Sequence, residues 1–81
     1  MRIDKFLNSV NITKRRSIAQ DMLSSGVVLI NDIVVKPSKN VAVGDVITIN
    51  YLSGAKKYEV LDLPQTKSTP KSLQHLYVKE L

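Results

Sequence analysis

Ile3, Phe6, Leu7 and Val10 recur at i, i+3, i+4 and i+7, the stripe of an amphipathic helix of about two turns, with Asp4 placed to cap or favour its first turn. Asn8 to Thr13 then turns the chain. Thr13 is the expected N-cap of a second helix whose buried side carries Ile18, Ala19, Met22 and Leu23. Ser24, Ser25 and Gly26 end that helix, with Gly26 suited to the left-handed position just past its last turn.

From Val27 the period changes. Val27 to Ile30 and Ile33 to Val35 are β-branched runs separated by Asn31 and Asp32, residues that tolerate the positive φ of a tight hairpin. Their apolar character on both faces predicts strands covered on two sides. The polar loop Lys36 to Asn40 follows, and its Pro37 cannot belong to a central strand. Gly44 and Asp45 turn into Val46 to Tyr51, where Ile47, Ile49 and Tyr51 share one face and Thr48 and Asn50 the other, the pattern of a half-buried strand. Ser53 to Ala55 makes a further turn into Lys56 to Leu63, with Tyr58 and Val60 alternating against Lys57 and Glu59. Pro64 to Ser72 has linker chemistry, and Leu73, Leu76, Tyr77 and Leu81 are expected to dock back on the body. The expected architecture is α+β, with two or three short helices on a small, mainly antiparallel sheet. Residues 1–63 form the domain, and 64–81 a short C-terminal extension.

At 81 residues the chain can build one modest core and no separate catalytic domain. Its 12 Lys+Arg against 7 Asp+Glu leave a net charge of +5, which favours a polyanionic partner. There is no cysteine, which removes disulfides, zinc knuckles and thiol nucleophiles. Met1 to Val10 interleaves charge with apolar residues, so it reads as neither a secretory signal nor a membrane span, and cytoplasmic residence is the expectation. Asn11, Ile12 and Thr13 match a glycosylation pattern that has no meaning without a secretory route.

The cations are unevenly placed: Arg2, Lys5, Lys14, Arg15 and Arg16 crowd the first sixteen residues against the single acid Asp4. Lys14, Arg15 and Arg16 follow the expected N-cap directly, where the helix dipole disfavours positive charge. An external phosphate backbone would resolve that conflict, since free N–H groups at a helix start and guanidinium forks both suit phosphate oxygens. Arg2 is expected near the second helix's start once the two apolar stripes pack, extending the patch. Asp4 is expected to cap or to pair with a neighbouring cation. Lys36, Ser38 and Lys39 offer a second phosphate-and-sugar contact on a loop, while Lys56, Lys57, Lys67 and Lys71 read as solvated surface. His75 is the single histidine and completes neither a metal set nor a catalytic set, and the acids show no paired metal-site spacing. No enzyme activity, metal or cofactor is expected.

Taken in order, Arg2-Ile3-Asp4-Lys5-Phe6-Leu7, then Lys14-Arg15-Arg16 with Ala19, then Gly26 to Asn31, then Gly44-Asp45, resembles the αL RNA-binding domain first described in ribosomal protein S-four. The match covers roughly residues 1–50. Lys36 to Lys39 and the closing Leu76-Tyr77 strengthen the resemblance to stand-alone members of the RqcP-like ribosome quality control type and to their small heat-shock relatives. Asp32 departs from the glycine more usual in that hairpin.

By position, Arg16 takes the family's arginine three residues before the helix alanine, and Arg2 the arginine of the Arg-apolar-Asp motif. The resemblance implies an RNA surface on the helical side with the hairpin beside it. It further implies binding to stalled large ribosomal subunits through ribosomal RNA and P-site tRNA, with RqcH as the partner that directs alanine tailing. A monomer is expected. Two other readings stand beside this one: a helix-turn-helix DNA-binding regulator, and an RNA-targeting accessory module of a modifying enzyme. The outward face of the second helix after Arg16, with Ser17, Gln20, Asp21 and Ser24, is poor in base-reading side chains and argues against the first of these.

Overall fold

A computed structural model describes residues 1–65 and 69–81. The elements are α1 (Ile3–Ser9), α2 (Arg16–Ser24), β1 (Val28–Ile30), β2 (Ile33–Val34), β3 (Val46–Tyr51), β4 (Gly54–Val60), a short 3-10 helix (Lys71–Leu76) and β5 (Val78–Glu80). The strands form one sheet in the order β2-β1-β3-β4-β5, every neighbouring pair antiparallel. The fold is therefore α+β, as the change of hydrophobic period predicts. Ile3, Phe6, Leu7 and Val10 of the first stripe join Ala19, Leu23, Val28, Ile47, Ile49 and Val60 in a single buried cluster between the helices and one face of the sheet.

Both helices end in the same way. Asn11 stands at φ 64 after α1, with its N–H donating to the Asn8 carbonyl and that of Ile12 to Leu7. Gly26 stands at φ 77 after α2, with its N–H donating to Leu23 and that of Val27 to Met22. Each pair of bonds is a Schellman closure around a left-handed residue. The start of α1 is closed from outside: the N–H of Ile3 donates to the Lys39 carbonyl at 2.8 Å and that of Asp4 to Pro37 at 3.4 Å. Val41 N–H donates to Met1, and Arg2 bridges Asn40, so the loop after the first hairpin is laced to the N-terminal residues.

Four local expectations are corrected, the first being that Leu73, Leu76 and Leu81, expected to dock on the body, are exposed, because the segment is held by β5 pairing and the buried Val78 instead. Helix α2 begins at Arg16 with Arg15 as N-cap, so Lys14 and Arg15 precede the helix and Thr13 does not cap it. Thr13 is buried and its hydroxyl donates to the Arg15 carbonyl at 3.2 Å, which ties the turn together and delays the helix. Ile18 is 42% exposed, and Ala19 and Leu23 are the buried residues of α2. Strand β2 is not covered on two sides: Ile33 and Val34 are 68% and 58% exposed because β2 is the edge strand of the sheet. Its two-residue length limits the open edge.

On β3, Thr48 is buried despite lying on the polar face, flanked across the sheet by Leu29 and Lys57. The linker reading of 64–72 includes Thr66, Lys67 and Ser68, which lie outside the described residues. On its far side, Thr69 donates both its N–H and its hydroxyl to the Ser9 carbonyl, each at 2.9 Å, and β5 pairs with β4 from Tyr58↔Glu80 to Val60↔Val78.

The first hairpin turn has Asn31 at φ 50 and Asp32 at φ 67, the doubly left-handed form of a type I′ turn. Asn31 also ties the turn to the next strand: its Oδ1 accepts from Val46 N–H at 3.0 Å and its Nδ2 donates to Asp45 at 3.2 Å. Asp32 has no such role, so its left-handed backbone is uncompensated strain. Asp32→Gly is expected to stabilise the domain by on the order of 0.5 kcal/mol, whereas Asn31→Gly removes two hydrogen bonds and is expected to destabilise it by about 1 kcal/mol. Urea unfolding midpoints of the two variants check both signs.

Candidate nucleic-acid interface

The site is organised by Asp4. The α1 stripe turns its carboxylate inward, where it is fully buried. There it accepts from the Lys5 N–H at 2.7 Å, from Gln20 Nε2 at 3.1 Å and from Arg2 at 3.1 Å. Arg16 approaches from α2 with its Nε 3.3 Å from Oδ2 and a second guanidinium nitrogen 3.5 Å from Oδ1. Arg16 and Gln20 are one helical turn apart on α2, so a single face of that helix grips the carboxylate of α1. The two arginine side chains remain 48% and 45% exposed. Each guanidinium is thus held at its inner edge and open to solvent on the other.

Burial works against ionisation of Asp4, but it is outweighed by the hydrogen bonds from Gln20, the Lys5 backbone and Arg16 and by the Arg16 charge, so its carboxyl is held below its usual range. A buried anion of this kind is tolerated only because its lone pairs are occupied. Two cations against one carboxylate leave the cluster positive. The electrostatic conflict expected at the start of α2 is relieved, for Arg16, from within the chain.

The structure places the remaining predicted residues around this pair. Lys36, Ser38 and Lys39 are exposed on the loop whose Pro37 and Lys39 carbonyls close the start of α1, which brings that loop beside Arg2. Lys14 and Arg15 are exposed in the turn leading into Arg16, and Lys5 is exposed on α1. Among the described residues none of these six side chains makes a hydrogen bond or ion pair. Arg2 and Arg16 are directly brought together, and the others are unpartnered charge and polarity along the same end of the helices.

Sequence reasoning missed Gln20 and the depth of Asp4. The available signal was the i, i+4 spacing of Arg16 and Gln20 combined with an acid one position past an apolar helix residue. Among the described residues no group of His, Cys, Asp or Glu could hold a metal ion, and no helix is long and apolar enough to cross a membrane.

Because the folded-state pKa of Asp4 is depressed, its stabilising contribution is complete above the unfolded-state value near 3.9 and is lost as pH falls through the folded value. Asp4→Asn is expected to cost about 1–3 kcal/mol at neutral pH, since Arg2 and Arg16 lose their shared acceptor. It should also flatten the decline in stability as the solution is acidified below about pH 5. Thermal unfolding of both proteins across that range measures it: an equal acid decline in the variant would show that Asp4 does not carry it.

The S4 domain family model matches residues 1–47, the segment that holds α1, α2, the first hairpin and the capping loop. The RQC P-site tRNA stabilizing factor of Helicobacter pylori strain J99 is 49% identical over 96% of this chain and 93% of its own length. The protein of the same name from Bacillus subtilis strain 168 is 32% identical over 88% of this chain and 79% of its own length. Among solved structures, the trimeric Heat Shock Protein 15 of Vibrio cholerae superposes with a TM-score of 0.90 at 27% identity, covering 100% of this chain and 81% of that one. The solution structure of a hypothetical protein, HP1423, does so with a TM-score of 0.87 at 44% identity, covering 100% and 96%. Arg2, Asp4, Arg16 and Gln20 all lie inside the matched segment, and the chain belongs to the S4 domain family.

Proposed function

We propose that this chain is an RNA-binding factor of ribosome-associated quality control, engaging stalled large ribosomal subunits through ribosomal RNA and P-site tRNA. The observation that carries the reading is the Asp4-locked pair of Arg2 and Arg16 amid unpartnered Lys5, Lys14, Arg15, Lys36 and Lys39. An arginine side chain carries about 2 kcal/mol of rotamer entropy, and an arginine already held by a buried carboxylate loses less of it on gripping a phosphate. Asp4 also screens the two guanidinium groups from each other. The surrounding lysines and Ser38 then follow adjacent phosphates and sugars, a mode that recognises the shape of structured RNA rather than its sequence.

The names of the Helicobacter and Bacillus relatives point this RNA reading toward a P-site tRNA. In that setting the protein acts in the cytoplasm, holding the tRNA while RqcH directs alanine addition, and supplies no catalysis of its own. Both arginines and their carboxylate come from a single chain, so a monomer suffices for this contact.

With about five phosphate contacts, the logarithm of affinity for a structured RNA should fall with the logarithm of salt at a slope of roughly 3 to 4. Arg16→Ala should reduce that slope by about 0.7 and weaken binding by roughly tenfold, as expected for loss of a charge-assisted contact. The domain should remain folded, and co-sedimentation with large subunits bearing peptidyl-tRNA after translational stalling should be lost. Unchanged co-sedimentation, or migration with small subunits, would remove the reading.

A further inference from the structure

A second surface lies at the other end of the sheet. The register Ile47↔Tyr58, Ile49↔Lys56 and Tyr51↔Gly54 puts Tyr51, Lys56 and Tyr58 on the helix-side face of the β3-β4 hairpin, beyond the reach of α1. There they line a groove of about 490 Å³ together with Asn11, Ile12 and Lys71, Gln74 and His75 of the 3-10 helix. The walls are tied to each other: Gln74 Nε2 donates to the Val10 carbonyl at 2.6 Å, and the Asn11 amide donates to the Thr69 carbonyl. The groove is therefore built into the fold, and its volume lies within the ~300–1,000 Å³ of ordinary ligand sites.

Its chemistry is that of a nucleotide site. Tyr51, 36% exposed, presents an aromatic ring at the open end of the strand, with Tyr58 close by. Lys56 and Lys71 are exposed cations lining it. Glu80, the one acid among the lining residues, is 3.8 Å from Lys56 Nζ, so its charge is partly answered. Burial raises the pKa of Tyr51, and burial with the nearby Tyr51 and Glu80 raises that of Tyr58, so both rings stay neutral beside a phosphate. Asn11 and Ile12 belong to the same turn as Lys14 and Arg15, which makes the groove continuous along the chain with the basic surface.

We propose that this groove binds an unpaired nucleotide of the RNA, its base stacked on Tyr51 and its phosphate held by Lys56 and Lys71. The inference rests on the RNA reading above. It adds a single-stranded contact to a surface that otherwise recognises phosphate geometry.

The test uses the full chain and three probes at fixed ionic strength: a blunt RNA hairpin, the same hairpin with a short unpaired uridine tail, and a short uridine oligonucleotide alone. The tail should tighten hairpin binding roughly tenfold, in line with base–aromatic stacking. Tyr51→Leu, which keeps the apolar surface and whose fold is checked by circular dichroism, should abolish that gain and leave the blunt hairpin's affinity unchanged. Lys71→Ala should reduce the gain, whereas Arg16→Ala should weaken both hairpins by the same factor. A tail that adds less than about twofold, or a gain that survives Tyr51→Leu, would overturn the groove assignment. Failure of the blunt hairpin to bind would instead overturn the RNA surface on the helices, and Tyr51-dependent binding of the oligonucleotide would still decide the groove.

Discussion

A carboxylate with no solvent contact, gripped from two helices, is the constraint around which the functional end of this domain is arranged. The buried Asp4 carboxylate is shared between Arg2, the Lys5 N–H, Gln20 and Arg16, and α2 brings the last two to it after the Asn11 closure and the buried Thr13 have turned the chain back. The helix pairing, the turn and the orientation of two arginines are therefore parts of one electrostatic solution. Hydrophobic contact between the two stripes supplies the larger share of the packing energy, since apolar burial is worth about 25 cal/mol per Å², while the gain from each ion pair is offset by the desolvation of the Asp4 carboxylate. What the ion pairs add is direction: they fix which edge of each guanidinium faces solvent.

Much of the architecture was legible because local chemistry and global pattern agree. The 3.6-residue stripe from Ile3 to Val10, the β-branched runs after Gly26 and the Asn31-Asp32 turn each imply the element that forms. The departures have identifiable causes. Thr13 has the composition of a cap, but burial turns its hydroxyl onto the Arg15 carbonyl, a use that depends on tertiary contact. Ile33 and Val34 look like core residues, and only the strand order reveals that they occupy an uncovered edge.

The charged residues divide in the same way. Arg2 and Arg16 were identifiable as cations, but their convergence on one acid depends on how α1 and α2 dock, which no linear spacing records. Lys56 and Lys71 looked like scattered surface charge because fifteen residues separate them in the chain. Antiparallel pairing and the return of the C-terminal segment place them on one groove.

The lacing of the N-terminal residues to the loop after the first hairpin has a temporal consequence. Ile3, Asp4 and Met1 find backbone partners in residues 37–41, so the polar backbone groups at the start of α1 depend on water until a segment some thirty-five residues downstream is available. Contacts of that sequence separation form late, after loop closure has been met by other gains. During synthesis the start of α1 would stay unlaced until the loop after the hairpin has left the exit tunnel. The basic N-terminal segment thus takes its final form only as part of a finished domain.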